Sequence, residues 1–186
     1  VYSDGRHPDA VTFSTAEEDA LRRDFTINGM FFDPLENGVL DFVGGQADLQ
    51  RGLVRAIGDP HARFAEDKLR MLRAVRYEQR FGFRLETATE KLLREDVAML
   101  HAISGDRTRH ELELILKEER PEKVLRRAGD LGLLVEVHPS LKGDGWLKKV
   151  FEKARESASP PSPALCFGLL TYRFSEPECE DFVARL

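Results

Sequence analysis

Cysteine occurs only twice in the 186 residues, at Cys166 and Cys179, so a disulfide framework and a multi-cysteine zinc site are both excluded. No apolar run approaches the eighteen or so residues that span a bilayer, which excludes a membrane helix. The first thirty residues lack the charged-then-apolar layout of a secretory signal, and the expected compartment is the cytoplasm. The five histidines show no mutual metal-ligand spacing, so no metal site is expected in the chain. No Ser-His-Asp or Cys-His arrangement suggests a nucleophile, and no Gly-x-x-x-x-Gly-Lys loop points to a nucleotide kinase. What is present is ordinary for a folded chain: 41% hydrophobic and 33% charged residues, which excludes wholesale disorder.

The net charge of −5 argues against an indiscriminate nucleic-acid binder, yet it averages over a gradient. Residues 1–50 carry 3 basic and 10 acidic side chains, whereas residues 51–130 carry 18 and 15. Eight arginines lie between Arg51 and Arg84, with Lys68 the only lysine among them. Guanidinium forks suit bidentate recognition of phosphate or base edges, although helix faces laced with ion pairs account for the same charges. The chain begins at Val1 in a polar, turn-rich stretch through Asp9, which reads as a cut in a loop.

Hydrophobic periodicity separates two regimes. Ala10–Ser14 predicts a short strand, Thr15–Leu21 a helix, residues 31–42 a hairpin, Gln46–Arg51 a short helix and Leu53–Ile57 a last strand. From Asp59 the period turns helical, predicting helices over 60–64, 66–81, 87–100, 105–118, 121–132, 144–156, 164–173 and 177–186. The expected fold class is α+β and mostly α. Domains are expected at 1–57, a partial α/β head; 58–130, an all-helical neck; and 131–186, the start of a helical body.

Three polar clusters stand out. In Arg22-Arg23-Asp24-Phe25-Thr26-Ile27-Asn28, two arginines can hold a polyphosphate, while Asp24 and Asn28, four apart, can bond a ribose hydroxyl pair. A helix end with locally paired charges explains the same residues. In Glu66-Asp67-Lys68-Leu69-Arg70-Met71-Leu72-Arg73, Asp67 and Arg70 are three apart and so are expected to be neighbours on the helix surface. One acceptor beside one forked donor can address the amino-plus-acceptor edge that cytosine and adenine share, or it can be a surface ion pair. In Gly105–Leu112, Asp106 reads as an N-cap, with Arg107 and Glu111 one turn apart.

These clusters, with Asp41-Phe42-Val43-Gly44-Gly45-Gln46-Ala47-Asp48-Leu49 between them, resemble in order and spacing the class II tRNA nucleotidyltransferase and bacterial poly(A) polymerase family. The resemblance covers roughly residues 1–118 and weakens after about residue 130. It implies a template-independent enzyme that adds CMP and AMP, from CTP and ATP, to the 3′ end of tRNA or another RNA. It implies ribose contacts from Asp24 and Asn28, triphosphate contacts from Arg22 and Arg23, and base reading by Asp67 with Arg70. Arg73 and Arg107 join the implied nucleotide-binding set. Arg6 and Asp9 fall in a stretch similar to the loop used for adenosine addition. Gly29, where the family often has Ala, and Asp106-Arg107-Thr108, where it often has Glu-Arg-Ile, depart mildly. The family's Asp-x-Asp, which holds Mg²⁺, has no counterpart in these residues, so no catalytic residue is expected here and the chain alone is expected to be inactive. A poly(A) polymerase of the same family and a non-catalytic RNA-binding helical module are the alternatives.

Overall fold

The computed structural model describes residues 15–157 and 161–186. The expected strand over Ala10–Ser14, together with Arg6 and Asp9, lies outside the described residues. Helix α1 (Ala16–Arg22) opens with a capping box in which the Thr15 hydroxyl accepts from the Glu18 N–H, and the Glu18 carboxylate accepts from the Thr15 N–H. A 3₁₀ turn over Thr26–Asn28 leads into β1 (Met30–Asp33), which pairs antiparallel with β2 (Gly38–Asp41). At the hairpin tip, Asn37 takes the left-handed backbone (φ 49°) that Asn tolerates. Helix α2 (Gly45–Arg51) follows, then β3 (Leu53–Val54).

The expected strand over Leu53–Ile57 is shorter than its pattern: only Leu53 and Val54 form a ladder, and Ala56 makes a single bridge to Phe25. Its partner is β4 (Arg84–Leu85), a parallel pairing that joins residues thirty apart and that no local signal announced.

The helical region is α3 (Pro60–Glu66), α4 (Arg70–Phe81), α5 (Thr87–Asp96), α6 (Gly105–Leu116), α7 (Pro121–Asp130), α8 (Leu133–Val137), α9 (Gly145–Ser157), α10 (Pro163–Thr171) and α11 (Glu176–Arg185). The boundary expected at residue 65, between helices over 60–64 and 66–81, lies later: α3 runs on to Glu66 and α4 starts only at Arg70. Asp67 ends α3 in an extended conformation (φ −144°, ψ 100°), and its carboxylate accepts from the Leu69 N–H, turning the chain before α4 begins. The expected helix over 87–100 stops at Asp96 and continues as a 3₁₀ turn over Val97–Ala102. Ser104, not Asp106, is the N-cap of α6. Short α8 was not expected; it starts after Gly132, whose φ of 83° resets the chain direction.

One hydrophobic core runs through the fold, from Phe25 and Val54 through Phe64, Leu72 and Val75 to Leu125, Phe151 and Phe182. It continues across residues 57–58, because Phe25 and Val54 pack with the helices and the Ala56 N–H donates to the Thr89 hydroxyl. Helix α4 sits at its centre, packed against α6, α7 and β3. No described helix is long and apolar enough to cross a membrane.

Candidate nucleotide-binding cleft

The break before α4 shapes a cleft. It places Asp67 at one rim of an open cleft of about 480 Å³ lined by Arg23, Asp24, Asn28, Asp67, Arg70, Arg73 and Tyr77. The two sequence clusters, forty residues apart, form its opposite walls.

One wall is the turn after α1. Asp24 is buried, 6% exposed. Its Oδ1 accepts from the Phe25 N–H (2.8 Å) and from Asn28 Nδ2 (3.1 Å), so Asn28 orients the carboxylate. Asp24 and Asn28 are adjacent as the spacing suggested, but in a 3₁₀ turn rather than an α-helix. Arg23 is anchored by Asp19 (2.9 Å) and the Asn28 carbonyl (3.0 Å), and it covers the Phe31 ring at 4.7 Å. Arg22 pairs with Asp19 at 2.6 Å and is not among the lining residues.

The facing wall is α4, where Arg70, Arg73 and Tyr77 share one face at i, i+3 and i+7. Asp67 and Arg70 do not pair with each other, contrary to the continuous-helix expectation. Both Asp67 oxygens lie 2.9 Å from Arg107 Nη2, reaching across from α6. Arg107 and Glu111 also go separate ways, since Glu111 binds Arg76 at 2.6 Å. Arg70 donates to Glu66 (2.8 Å) and to the Arg63 and Arg22 carbonyls (3.0 and 3.1 Å). The Arg70 hydrogen bond holds the Glu66 carboxyl below the usual carboxylate range, with Arg63 adding to it. A carboxylate has about four acceptor positions, so Asp67 can still accept from a ligand while held by Arg107.

Arg73 connects the walls: its Nη2 is 2.7 Å from Asp24 Oδ2 and 3.4 Å from the Tyr77 hydroxyl. Burial opposes its charge, but Asp24 and Tyr77 outweigh that and raise its pKa. Tyr77 itself is fixed edge-on by Phe25 and stacked on Phe81, each at 5.9 Å. Sequence reasoning missed Tyr77, although its seven-residue offset from Arg70 was a usable signal.

Behind the cleft, Asp41 accepts from the N–H groups of Val43, Gly45 and Gln46, and buried Asp48 takes the Thr26 hydroxyl and Arg55. A second cavity of about 410 Å³, walled by Leu116, Phe151, Cys166 and Phe167, contains none of the expected site residues. Among the described residues, no group of three or more His, Cys, Asp or Glu side chains could hold a metal ion. The described residues therefore do not fit a Mg²⁺ site.

Two family models match the chain: the poly A polymerase head domain over residues 1–55, and the probable RNA- and SrmB-binding site of polymerase A over residues 82–144. A CCA-adding enzyme of Lactiplantibacillus plantarum is 44% identical over 135 residues, which is 72% of this chain and 31% of that protein. One of Bacillus velezensis is 39% identical over 143 residues, 76% of this chain and 36% of that protein. Among solved structures, the Thermotoga maritima CCA-adding enzyme complexed with tRNA covers 91% of this chain and 44% of its own, with a TM-score of 0.75 and 30% identity. A CCA-adding enzyme with CTP covers 91% of this chain and 43% of its own, with a TM-score of 0.76 and 30% identity. Fold and matches together define a nucleotidyltransferase-type architecture, part of a head joined to a helical body. The chain belongs to the family of tRNA nucleotidyltransferases and poly(A) polymerases. It spans about a third of the length of the curated relatives it matches.

Proposed function

We propose that the chain is the nucleotide-selecting part of a template-independent RNA nucleotidyltransferase that adds CMP and AMP, from CTP and ATP, to the 3′ end of tRNA in the cytoplasm. The observation that carries this is the cleft: an acceptor, Asp67, and a forked donor, Arg70, on one wall face the Arg23–Asp24–Asn28 turn on the other. Asp67 accepts from the exocyclic amino group of cytosine or adenine, and Arg70 donates to the neighbouring ring nitrogen. Arg23 lies on the triphosphate side. Arg107 positions Asp67 and stays outside the cleft. Relatives that are CCA-adding enzymes, some solved with ATP, CTP or tRNA, support the substrates. By function, residues 1–57 belong to the head, 58–130 to a neck that reads the base, and 131–186 to the body.

The Asp-x-Asp pair that holds Mg²⁺ in such transfers does not occur in the 186 residues, so the proposal concerns nucleotide choice and derives no bond-making step from these side chains. In the full-length protein, Asp67→Ala is expected to lower the preference for CTP and ATP over UTP and GTP by about tenfold or more, the scale of one bidentate base contact. Arg70→Ala is expected to lower CTP and ATP use. Unchanged base preference on tRNA transcripts would overturn the assignment. Product length on tRNA and on a generic RNA separates CCA addition from poly(A) synthesis, the alternative that the name of the matching head-domain model carries.

A further inference from the structure

Against a chain charge of −5, residues 142–173 carry six basic and three acidic side chains. The segment lies almost wholly beyond residue 144, where the second family model ends. Two of its acids are taken internally, Asp144 by Arg173 at 2.8 Å and Glu152 by Lys148 at 3.8 Å. Exposed Lys142, Lys149 and Lys153 have no ion-pair partner among the described residues. The same surface holds rings. Tyr172, just past α10, is 74% exposed and stacks on half-buried Trp146 at the start of α9, with centroids 5.8 Å apart and planes 20° from parallel. The Arg173 guanidinium lies 4.4 Å from the Trp146 ring centre. Asp144 fixes this group, since it holds Arg173 and also accepts from the Leu147 N–H at 3.1 Å in the first turn of α9. Along α9, Trp146, Lys149 and Lys153 stand in one row at i, i+3 and i+7. A pocket of about 330 Å³ opens beside the rings, walled by Lys142, Leu170, Arg173 and Phe174, and its carboxylate, Glu178, is engaged by Ser140 and Ser175. None of these residues lines the nucleotide cleft: α9 packs on α7 and α10, whereas the cleft is built on α4.

An exposed ring backed by a second ring offers an apolar plane, and the unpaired lysines beside it offer point charges about one helical turn apart. Unpaired nucleotides match both, because each has a flat base for the ring and a phosphate for an ammonium group. A base-paired duplex keeps its bases stacked on one another and meets only the lysines. An acidic peptide likewise uses the lysines and leaves the rings bare. We propose that Tyr172 and Trp146, flanked by Lys142, Lys149 and Lys153, form a docking face for single-stranded RNA, with one base stacked on Tyr172 and the neighbouring phosphates on the lysines. The face grips an unpaired stretch away from the end that is extended, so it favours RNAs with long unpaired tails over those with a short single-stranded end. It does not depend on which nucleotide the cleft selects.

The test measures binding of the full-length protein to a labelled oligo(A) and to a blunt RNA duplex by fluorescence anisotropy. Tyr172→Ala is expected to weaken oligo(A) binding about tenfold, the scale of one stacked base, and to leave duplex binding within about twofold. Tyr172→Phe keeps the ring and should bind oligo(A) within about twofold of the parent. A Lys149→Ala, Lys153→Ala double variant should weaken oligo(A) binding and flatten the slope of log K against log salt by about 1.4, the loss of two single-strand phosphate contacts. Unchanged oligo(A) binding by Tyr172→Ala, or an equal loss on both RNAs, would overturn the proposal. So would a Tyr172→Ala protein with a lowered thermal midpoint and intact oligo(A) binding, which places the ring against the rest of the full-length chain. Polyglutamate that binds Tyr172→Ala like the parent but not the lysine variant, while oligo(A) ignores both changes, would assign the face to an acidic protein instead. If Tyr172→Ala does not fold, the salt slope of the lysine variant decides, and an unchanged slope overturns the proposal. Each readout is RNA binding alone, so a failure of CTP and ATP selection in the cleft leaves the result standing.

Discussion

Arg76 shows what most of the arginines in the middle of the chain do. It is 6% exposed, its Nε meets Glu111 at 2.6 Å, and its guanidinium lies 4.8 Å from the Tyr77 ring centre. Burial works against its charge, but Glu111, Tyr77 and Glu118 more than offset it. Arg55, Arg63, Arg70, Arg73 and Arg80 likewise meet acids of the same chain. The arginine-rich stretch is therefore first an internal scaffold that holds α4 to its neighbours, and only the charge left after those pairs are made is open to the RNA of the proposed function. Removing one member of a buried pair strands the other charge, so Glu111→Ala should cost about 3–5 kcal/mol. A Glu111→Met, Arg76→Met double variant should lose much less, since it strands nothing. Asp106→Ala should change stability by under about 0.5 kcal/mol, because its partner Arg109 is half exposed and Asp106 largely so. Denaturant midpoints of the four proteins check the ranking; similar losses for Glu111→Ala and the double variant would show that packing, not the stranded charge, sets the cost.

At the scale of elements, the glycine pair before α2 makes a sharper contrast. Gly44 takes a left-handed conformation (φ 77°) with open space around a would-be Cβ, so Gly44→Ala carries only backbone strain of about 1–2 kcal/mol. A Cβ at Gly45 would run into the Thr26 carbonyl and the Met30 side chain, backbone that carries the cleft's 3₁₀ turn. Gly45→Ala should therefore destabilise more than Gly44→Ala and also lower nucleotide use, whereas Gly44→Ala should spare it; a reversed order would contradict this packing. The same turn explains what was legible in the sequence. Helices α5, α6, α7, α9, α10 and α11 follow from apolar spacing and end signals such as Pro121 and Pro163 at first-turn positions. A break was expected at residue 65, between helices over 60–64 and 66–81; its place at residues 67–69 was not legible, because no Gly or Pro marks it. It is made by a side chain competing for the backbone and by Arg107 from forty residues away. The β3–β4 pairing was hidden for the same reason: two residues per strand carry no period, and the partner is distant. The cleft residues were found because they form dense local clusters; which of them face each other depended on that break.

Across the whole molecule, ion pairs tie together helices that the core already joins. Glu90 takes Arg127 and links α5 to α7, Glu86 takes Arg55 beside β3, and Asp144 takes Arg173 from beyond α10. For Glu86 and Glu90, burial alone would raise the pKa, but hydrogen bonds from Thr89 and Ala88 and from Arg94 and Arg127, respectively, lower it overall. Asp144 is lowered chiefly by Arg173, and Glu178 falls to about 2 because the Ser140 hydroxyl and the Ser175 N–H donate to it. A carboxyl with a folded pKa below its unfolded value binds protons more weakly when folded. Its contribution is complete above the unfolded value of about 4–4.5 and is lost as pH falls through the folded value. The urea midpoint should therefore stay nearly flat from pH 8 to about 5 and then drop steadily toward pH 2. Because the paired helices share one core, secondary-structure and aromatic signals should fall together rather than helix by helix. Protonation of Glu90 in particular releases α5 from α7, so Glu90→Gln should start lower at pH 7 and lose less on acidification than the parent. A midpoint that already declines between pH 8 and 6, or a Glu90→Gln profile parallel to the parent's, would show that groups other than these carboxylates govern the acid response.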